Sequence, residues 1–135
     1  MCTICTYLRK TMRRFLPVLL LALPLAAAAE PVRKINSHRD LCRHTLQGAA
    51  FNRFLETSCG FDENVSDKVY RVLRKLQCNG FTLEESTRLS REAVADGQMR
   101  LERFGKTEFC QGNRQGYIDA GAMMEKILED NGQAQ

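Results

Sequence analysis

Four cysteines spread over roughly the last hundred residues of this chain limit its fold more than any other feature. They are Cys42, Cys59, Cys78 and Cys110. In a small exported domain, an even number of cysteines usually forms a disulfide framework, whereas the same cysteines in the cytosol would favour metal binding or catalysis. The interpretation of the cysteines therefore depends on whether the chain is exported.

The amino terminus predicts export. Arg13 and Arg14 precede an apolar run over residues 15–25, and alanines fill positions 26–29. A basic start, a short apolar run and a small-residue cleavage site are typical of a secretory signal peptide. We expect residues 1–29 to be removed by cleavage after Ala29, and the mature protein to reach the bacterial periplasm or the medium.

Two alternatives concern the same segment. A membrane anchor needs about 20 apolar residues, but Pro17 and Pro24 interrupt a shorter run here, so we expect no stable anchor after cleavage. Met12 is a second candidate start, which would give a signal peptide of ordinary length. Cys2 and Cys5 precede it and are absent from the mature protein with either start.

The charge of the mature region argues against nucleic acid as a partner. The whole chain has 20 Lys and Arg against 16 Asp and Glu, a formal net charge of +4. Four of the basic residues and no acidic residue lie in residues 1–29, which leaves 16 of each sign and no net charge. Phosphate-backbone binding requires a surplus of Lys and Arg on one surface. We therefore expect no nucleic-acid binding.

Helix caps and apolar spacing predict two helices in the first half of the mature region. The first extends from a cap at Asn36 or Ser37 to about residue 57, and Gly60 provides a stop after it. The second begins near residues 64–66, carries an apolar stripe, and ends at the pair Asn79–Gly80.

Two more helices are predicted in the second half. Thr82 and Glu85 form a capping box that begins a third helix ending at residue 103 or 104. A fourth helix over about 107–129 contains Gly112 and Gly116, which predict an irregular first half and a candidate recognition segment at residues 110–117. With Ala120, the same glycines also allow the close approach of a neighbouring helix. No segment shows strand alternation, so we predict one all-α domain over residues 30–130, a four-helix bundle with a frayed polar tail at 131–135.

Helix geometry selects one of the three possible disulfide pairings. Cys42 and Cys59 lie 17 residues apart on one predicted helix, about 25 Å, whereas a disulfide needs Cα atoms within about 7 Å. If the first two helices form an antiparallel hairpin that turns near Gly60, Cys42 and Cys78 become neighbours because each is 18 residues from the turn. The third helix then returns the chain to the end where Cys59 lies. We predict the disulfides Cys42–Cys78 and Cys59–Cys110.

The alternative for the cysteines is a metal site. His38 and Cys42 lie one helical turn apart, with His44 nearby. However, His44 points to another side of the helix, and an oxidising compartment removes the thiolates that a metal would bind. We expect no metal and no cofactor.

Catalytic motifs are missing from the predicted mature region. It contains no Gly-x-Ser-x-Gly elbow, His-Glu-x-x-His helix, phosphate-binding glycine loop or haem-attachment sequence. The acidic pairs Asp62–Glu63 and Glu84–Glu85 fall in a turn and in the first turn of a helix, where structure alone explains them. We expect no enzyme activity and assign no catalytic residue.

The predicted second helix carries a basic face. Its members, at spacings of three and four, are Lys68, Arg71, Arg74 and Lys75. Such a face is commonly just the solvated side of a helix, but it is also a candidate docking patch for an acidic protein. A small, disulfide-linked domain poor in catalytic groups is best interpreted as an exported protein-binding module, such as an immunity or inhibitor protein. The alternatives are a periplasmic stress chaperone and a carrier of a small ligand or metal.

Overall fold

The computed structural model describes residues 35–130, which form four α-helices and contain no strand. The helices are α1 (His38–Cys59), α2 (Val65–Lys75), α3 (Leu83–Phe104) and α4 (Lys106–Glu129). The prediction of an all-helical fold with four helices is confirmed. The predicted signal peptide, the alternative start at Met12 and the predicted tail at 131–135 lie outside the described residues. Over residues 35–130, no helix has the length and apolar character needed to span a membrane.

Two of the predicted caps fix α1. The Ser37 side chain accepts a hydrogen bond from the backbone N–H of Asp40 at 3.1 Å, so this residue is the N-cap. At the other end Gly60 has a φ of 73°, a left-handed conformation that glycine adopts without steric cost. The backbone N–H of Gly60 donates to the carbonyl of Glu56. The chain then leaves α1 and enters α2.

The end of α2 differs from the prediction. The helix stops at Lys75, before the pair Asn79–Gly80. Gln77 has a φ of 55°, and the N–H groups of Gln77 and Cys78 donate to the carbonyls of Arg74 and Leu73. This is the Schellman arrangement, which usually has glycine at the left-handed position. Because glutamine occupies that position here, the sequence gives no signal for the earlier stop.

The beginning of α2 is capped by the neighbouring helices. Its N-cap residue, Asn64, makes no side-chain capping bond. Instead, the carboxylate of Glu56 on α1 accepts hydrogen bonds from the backbone N–H of Ser66 at 2.9 Å and from its hydroxyl at 2.6 Å. The backbone N–H of Val65 donates to the hydroxyl of Tyr117 on α4 at 3.3 Å. These bonds satisfy N–H groups that a helix start otherwise leaves free.

Two disulfides link α1 to the rest of the fold. Cys42 on α1 is bonded to Cys78 after α2, with Cα atoms 5.4 Å apart. Cys59 at the end of α1 is bonded to Cys110 on α4, with Cα atoms 5.5 Å apart. This is the pairing that an antiparallel hairpin of the first two helices predicts.

The packing of the helices is uneven. α1 packs against each of the other three helices, and α2 packs against α4, but no Cα atoms of α2 and α3 lie within 8 Å of each other. The cluster of buried apolar side chains comes from α1, α2 and α4, and includes Leu55, Val65, Val72 and Tyr117. The core is therefore formed by these three helices, while α2 and α3 lie apart along α1.

The first half of α4 corrects two expectations. The helix is continuous through Gly112 and Gly116, because the burial of Phe109 and Tyr117 outweighs the helix cost of about 1 kcal/mol per glycine. A Cβ atom added at either glycine would meet nothing within 4 Å, so no helix approaches closely there. The close approach is at Gly121, where an added Cβ would lie 2.9 Å from a methyl carbon of Val65.

Candidate protein-docking surface

The lysines of the predicted basic face are bound to α4. The Lys68 ammonium lies 2.5 Å from a carboxylate oxygen of Glu125. The Lys75 ammonium donates hydrogen bonds to the carbonyls of Ile127 at 2.7 Å and Leu128 at 3.2 Å. These carbonyls belong to the last turn of α4, where a positive charge is stabilising. Both lysines therefore serve to hold α2 against α4.

The arginines of the same face point to solvent. Arg71 and Arg74 are both exposed, on the side of α2 opposite the buried Val69 and Val72. Within residues 35–130 neither arginine forms an ion pair or a side-chain hydrogen bond. Of the four predicted residues, the structure thus leaves two free to meet another molecule.

An open groove lies between α2 and α3, because the backbones of these helices stay more than 8 Å apart. Leu46 of α1 lies at its base, Tyr70 lines it on α2, and Val94 and Ala95 line it on α3. The groove has a volume of about 690 Å³, is open to solvent along its length, and has a mostly apolar surface. The remaining lining residues all come from α3: Ser86, Thr87, Ser90, Arg91 and Gln98. We call this feature the α2–α3 groove.

Two arginines lie at the α2–α3 groove. Arg91 is the charged residue among those that line it. Arg74 lines an adjoining hollow that shares Tyr70 with the groove. None of the described residues lining the groove or the hollow is acidic, and Arg91, like Arg74, has no ion-pair partner within residues 35–130. A second adjoining hollow, which shares Thr87 and Arg91 with the groove, contains Glu84 and the Arg88–Glu92 ion pair. The groove therefore combines an apolar surface with two arginines, Arg74 and Arg91, that form no ion pair within residues 35–130.

The helix that forms one wall of the groove is sparsely buried. Only Leu89 and Gly97 are buried among the 22 residues of α3, while Val94 and Met99 are 38% and 60% exposed. At Gly97 an added Cβ atom would lie 2.7 Å from a ring carbon of Phe54. α3 is thus pressed against α1 along a narrow strip, and its groove-facing side is left uncovered.

The residues of the candidate metal site are a disulfide and a histidine beside it. The potential ligand atoms of His38, Cys42 and Cys78 lie within 4.8 Å of one another. The two sulfur atoms are bonded to each other, however, and a metal requires thiolates. His38 Nε2 lies 2.7 Å from the carbonyl oxygen of Leu76, which ties the start of α1 to the end of α2. His44 is not part of this cluster.

One carboxylate of each acidic pair has a structural partner. The Arg114 guanidinium binds the Glu63 carboxylate through two nitrogens, and this bond lowers the pKa of Glu63. Glu85 accepts a hydrogen bond from the backbone N–H of Thr82 at 3.0 Å and a second from Arg39 at 2.7 Å. Those contacts, the backbone bond first, lower the pKa of Glu85. Glu63 thus links the loop before α2 to α4, and Glu85 links α3 to α1.

The sequence analysis found Arg71 and Arg74 but missed the α2–α3 groove beside them. A usable signal was present in α3: uncharged residues at positions 87, 90, 94 and 98 follow helical spacing in an otherwise highly charged helix. Comparison of the chain with protein-family models, curated proteins and solved structures finds no match.

Proposed function

We propose that this protein is an exported protein-binding module, such as an immunity or inhibitor protein, that binds an acidic surface of its partner. The observation that carries the proposal is the contrast within the basic face of α2. Lys68 and Lys75 are bound within the fold, whereas Arg71 and Arg74 are exposed and have no partner among residues 35–130. Unpaired surface charge of one sign steers association with a partner of opposite sign.

Export to the bacterial periplasm or the medium is part of the proposal. The two disulfides are typical of proteins that fold in an oxidising compartment. The sequence of residues 1–29, with its basic start and apolar run, supports the same destination. Catalysis and nucleic-acid binding are not part of the proposed function.

The test is capture of a partner by the purified mature domain from periplasmic extract. The key variant is Arg71→Glu with Arg74→Glu, and the control is Lys106→Glu with Lys126→Glu. The control makes the same change in charge at two exposed lysines that have no ion pair in the described part of the chain. We expect the wild type and the control to retain a specific acidic protein, and the arginine variant to lose about tenfold in affinity, with the largest loss at low salt.

Equal capture by both variants at every salt concentration would show that Arg71 and Arg74 do not bind the partner and are only the solvated face of α2. A circular dichroism spectrum shows whether each variant is folded. A toxin-like gene beside the gene for this protein would identify the first candidate partner to test directly.

A stress chaperone is the alternative function, and one observation favours it. Large apolar side chains are exposed at Leu83, Met99, Phe104, Ile118 and Met123. A chaperone would bind many unfolded proteins, independently of Arg71 and Arg74, and would expose more apolar surface on acidification, which dye binding measures. A carrier of a small ligand would instead retain that ligand in native mass spectrometry.

A further inference from the structure

The walls of the α2–α3 groove determine what form of peptide it can accept. Both walls and the base are α-helices, whose backbone groups are already paired within each helix. An extended peptide would find no free strand edge with which to form hydrogen bonds. A peptide that is itself helical satisfies its own backbone groups and needs only side-chain contacts from the groove.

The length of the groove sets the length of its occupant. Its lining residues on α3 extend from Ser86 to Gln98, which corresponds to about 18 Å, or between three and four helical turns. A small molecule is a poorer fit, because the groove is open along its length and well-formed small-molecule sites enclose most of the ligand surface.

The charges of the groove select an acidic occupant. The apolar contacts available are Leu46, Tyr70 and Val94. The arginines beside them, Arg74 and Arg91, form no ion pair within residues 35–130 and can bind carboxylates of an occupant. An occupant with apolar residues on one face and carboxylates at its edges complements both features. The apolar run of the chain's own residues 15–25 does not, because it contains no carboxylate and follows two arginines.

We propose that the α2–α3 groove binds an acidic amphipathic α-helix of the partner protein. Its apolar side packs on Leu46, Tyr70 and Val94, and its carboxylates lie near Arg74 and Arg91. This inference rests on the proposed function and adds the site on this protein and the element of the partner that occupies it.

The direct test uses labelled synthetic peptides of about 14 residues, or four turns. The first has leucines on one helical face and glutamates elsewhere, the second has lysine in place of every glutamate, and the third is a scrambled form of the first. We expect the first to bind the mature domain about tenfold more tightly than either of the others, and to weaken as salt is added. Fluorescence anisotropy measures all three affinities.

Variants of the groove show whether the peptide binds there. Val94→Asp places a charge in the groove, and Ile118→Asp is its control because the two side chains are 38% and 40% exposed. Arg91→Glu removes the groove cation, and Lys106→Glu is its control, another exposed basic residue. We expect each groove variant to bind the acidic peptide about tenfold more weakly and each control to bind like the wild type. Circular dichroism reports the folding of all four variants. If Val94→Asp fails to fold, the result for Arg91→Glu alone decides whether the peptide binds in the groove.

Several results would overturn the inference. Absence of binding, equal binding of the acidic and basic peptides, or unchanged binding by Arg91→Glu and Val94→Asp would each do so. A concentration-dependent dimer that Val94→Asp abolishes would assign the groove to a second copy of this chain instead. If Arg71→Glu with Arg74→Glu loses a natural partner that Val94→Asp and Arg91→Glu retain, the groove assignment is wrong and the proposed function stands. If the peptide results hold but no protein depends on Arg71 and Arg74, the proposed function is wrong and the groove assignment stands.

Discussion

The hydroxyl of Tyr117 on α4 donates a hydrogen bond to the carboxylate of Glu56 on α1, across a distance of 3.0 Å. Each of these side chains also binds a backbone N–H group at the start of α2. The contact therefore joins three helices at a helix start that has no side-chain cap of its own. Tyr117 is 1% exposed, so water does not replace a hydrogen bond that is lost there.

Removal of the Tyr117 hydroxyl tests this arrangement. We expect Tyr117→Phe to lower the free energy of unfolding by about 1–3 kcal/mol, because a backbone N–H and a carboxylate each lose a partner where little water reaches them. Urea denaturation measures the change. Tyr70→Phe is the control, since Tyr70 is half-buried and has no side-chain hydrogen bond within residues 35–130. Equal losses in the two variants would show that the Tyr117 network contributes nothing specific.

The same hydroxyl predicts a response to alkaline pH. Burial raises the pKa of Tyr117 to about 12, whereas tyrosine in an unfolded chain titrates near 10. The unfolded state loses its proton first, so stability falls as the pH rises from about 10 to about 12, by roughly 3 kcal/mol in total. Tyr117→Phe lacks this term, and the difference in stability between wild type and variant should shrink between about pH 9 and about pH 11.5. Parallel pH profiles from urea denaturation would contradict the assignment.

Substitution by alanine should have opposite effects on stability at two of the glycines. We expect Gly116→Ala to raise the free energy of unfolding by about 0.5–1 kcal/mol, because an added Cβ meets nothing within 4 Å and alanine favours the helix. Gly97→Ala should lower it by about 1–3 kcal/mol, because its Cβ would lie 2.7 Å from the Phe54 ring. Chemical denaturation of both variants checks the prediction. A Gly97→Ala variant as stable as the wild type would contradict the close packing of α3 on α1, and a destabilised Gly116→Ala variant would contradict the open surroundings of Gly116.

The disulfides should determine whether the domain folds at all. Their cysteines are 36 and 51 residues apart in sequence, and in the chain-entropy model each bond stabilises the fold by about 4 kcal/mol. That is close to the whole stability of many small domains. Replacing Cys42 and Cys78 together by serine should therefore reduce the folded yield sharply. Non-reducing peptide mapping of the wild type provides the check on pairing, because a Cys42–Cys110 peptide would contradict the hairpin of α1 and α2.

The proposed cleavage of a signal peptide predicts a specific mass for the protein. We expect the form recovered from the periplasm or the medium to begin at Glu30 and to carry no part of residues 1–29. Intact mass spectrometry measures this directly. A recovered protein that still contained residues 12–29 would argue for a retained anchor instead.

Local signals predicted much of the fold. Ser37, Gly60 and the Thr82–Glu85 capping box act within one helical turn, and each lies at the helix end where the sequence placed it. The disulfide pairing followed from counting residues on either side of a turn. The predicted end of α2 was wrong, because Gln77 adopts the left-handed conformation and stops the helix early. The first glycine after α2 in the sequence is at position 80.

Features that depend on two distant helices were beyond local signals. The basic face of α2 was visible in the sequence. The sequence did not show which of its residues are bound within the fold and which are exposed, since Lys75 is bound by carbonyls that lie 52 and 53 residues away. The cap of α2 by Tyr117 and the α2–α3 groove have the same origin. Both depend on how helices are placed around α1, which spacing within one helix does not encode.

The order of the paired cysteines along the chain has a consequence for resistance to proteases. Cys59 lies between Cys42 and Cys78, and Cys78 lies between Cys59 and Cys110, so the two covalent rings overlap. A single protease cut at any peptide bond between Cys42 and Cys110, including one in the sparsely buried α3, leaves both fragments joined by at least one disulfide. Such a nicked molecule gains only the mass of one water and loses no segment, and a reducing agent is needed to separate its two pieces.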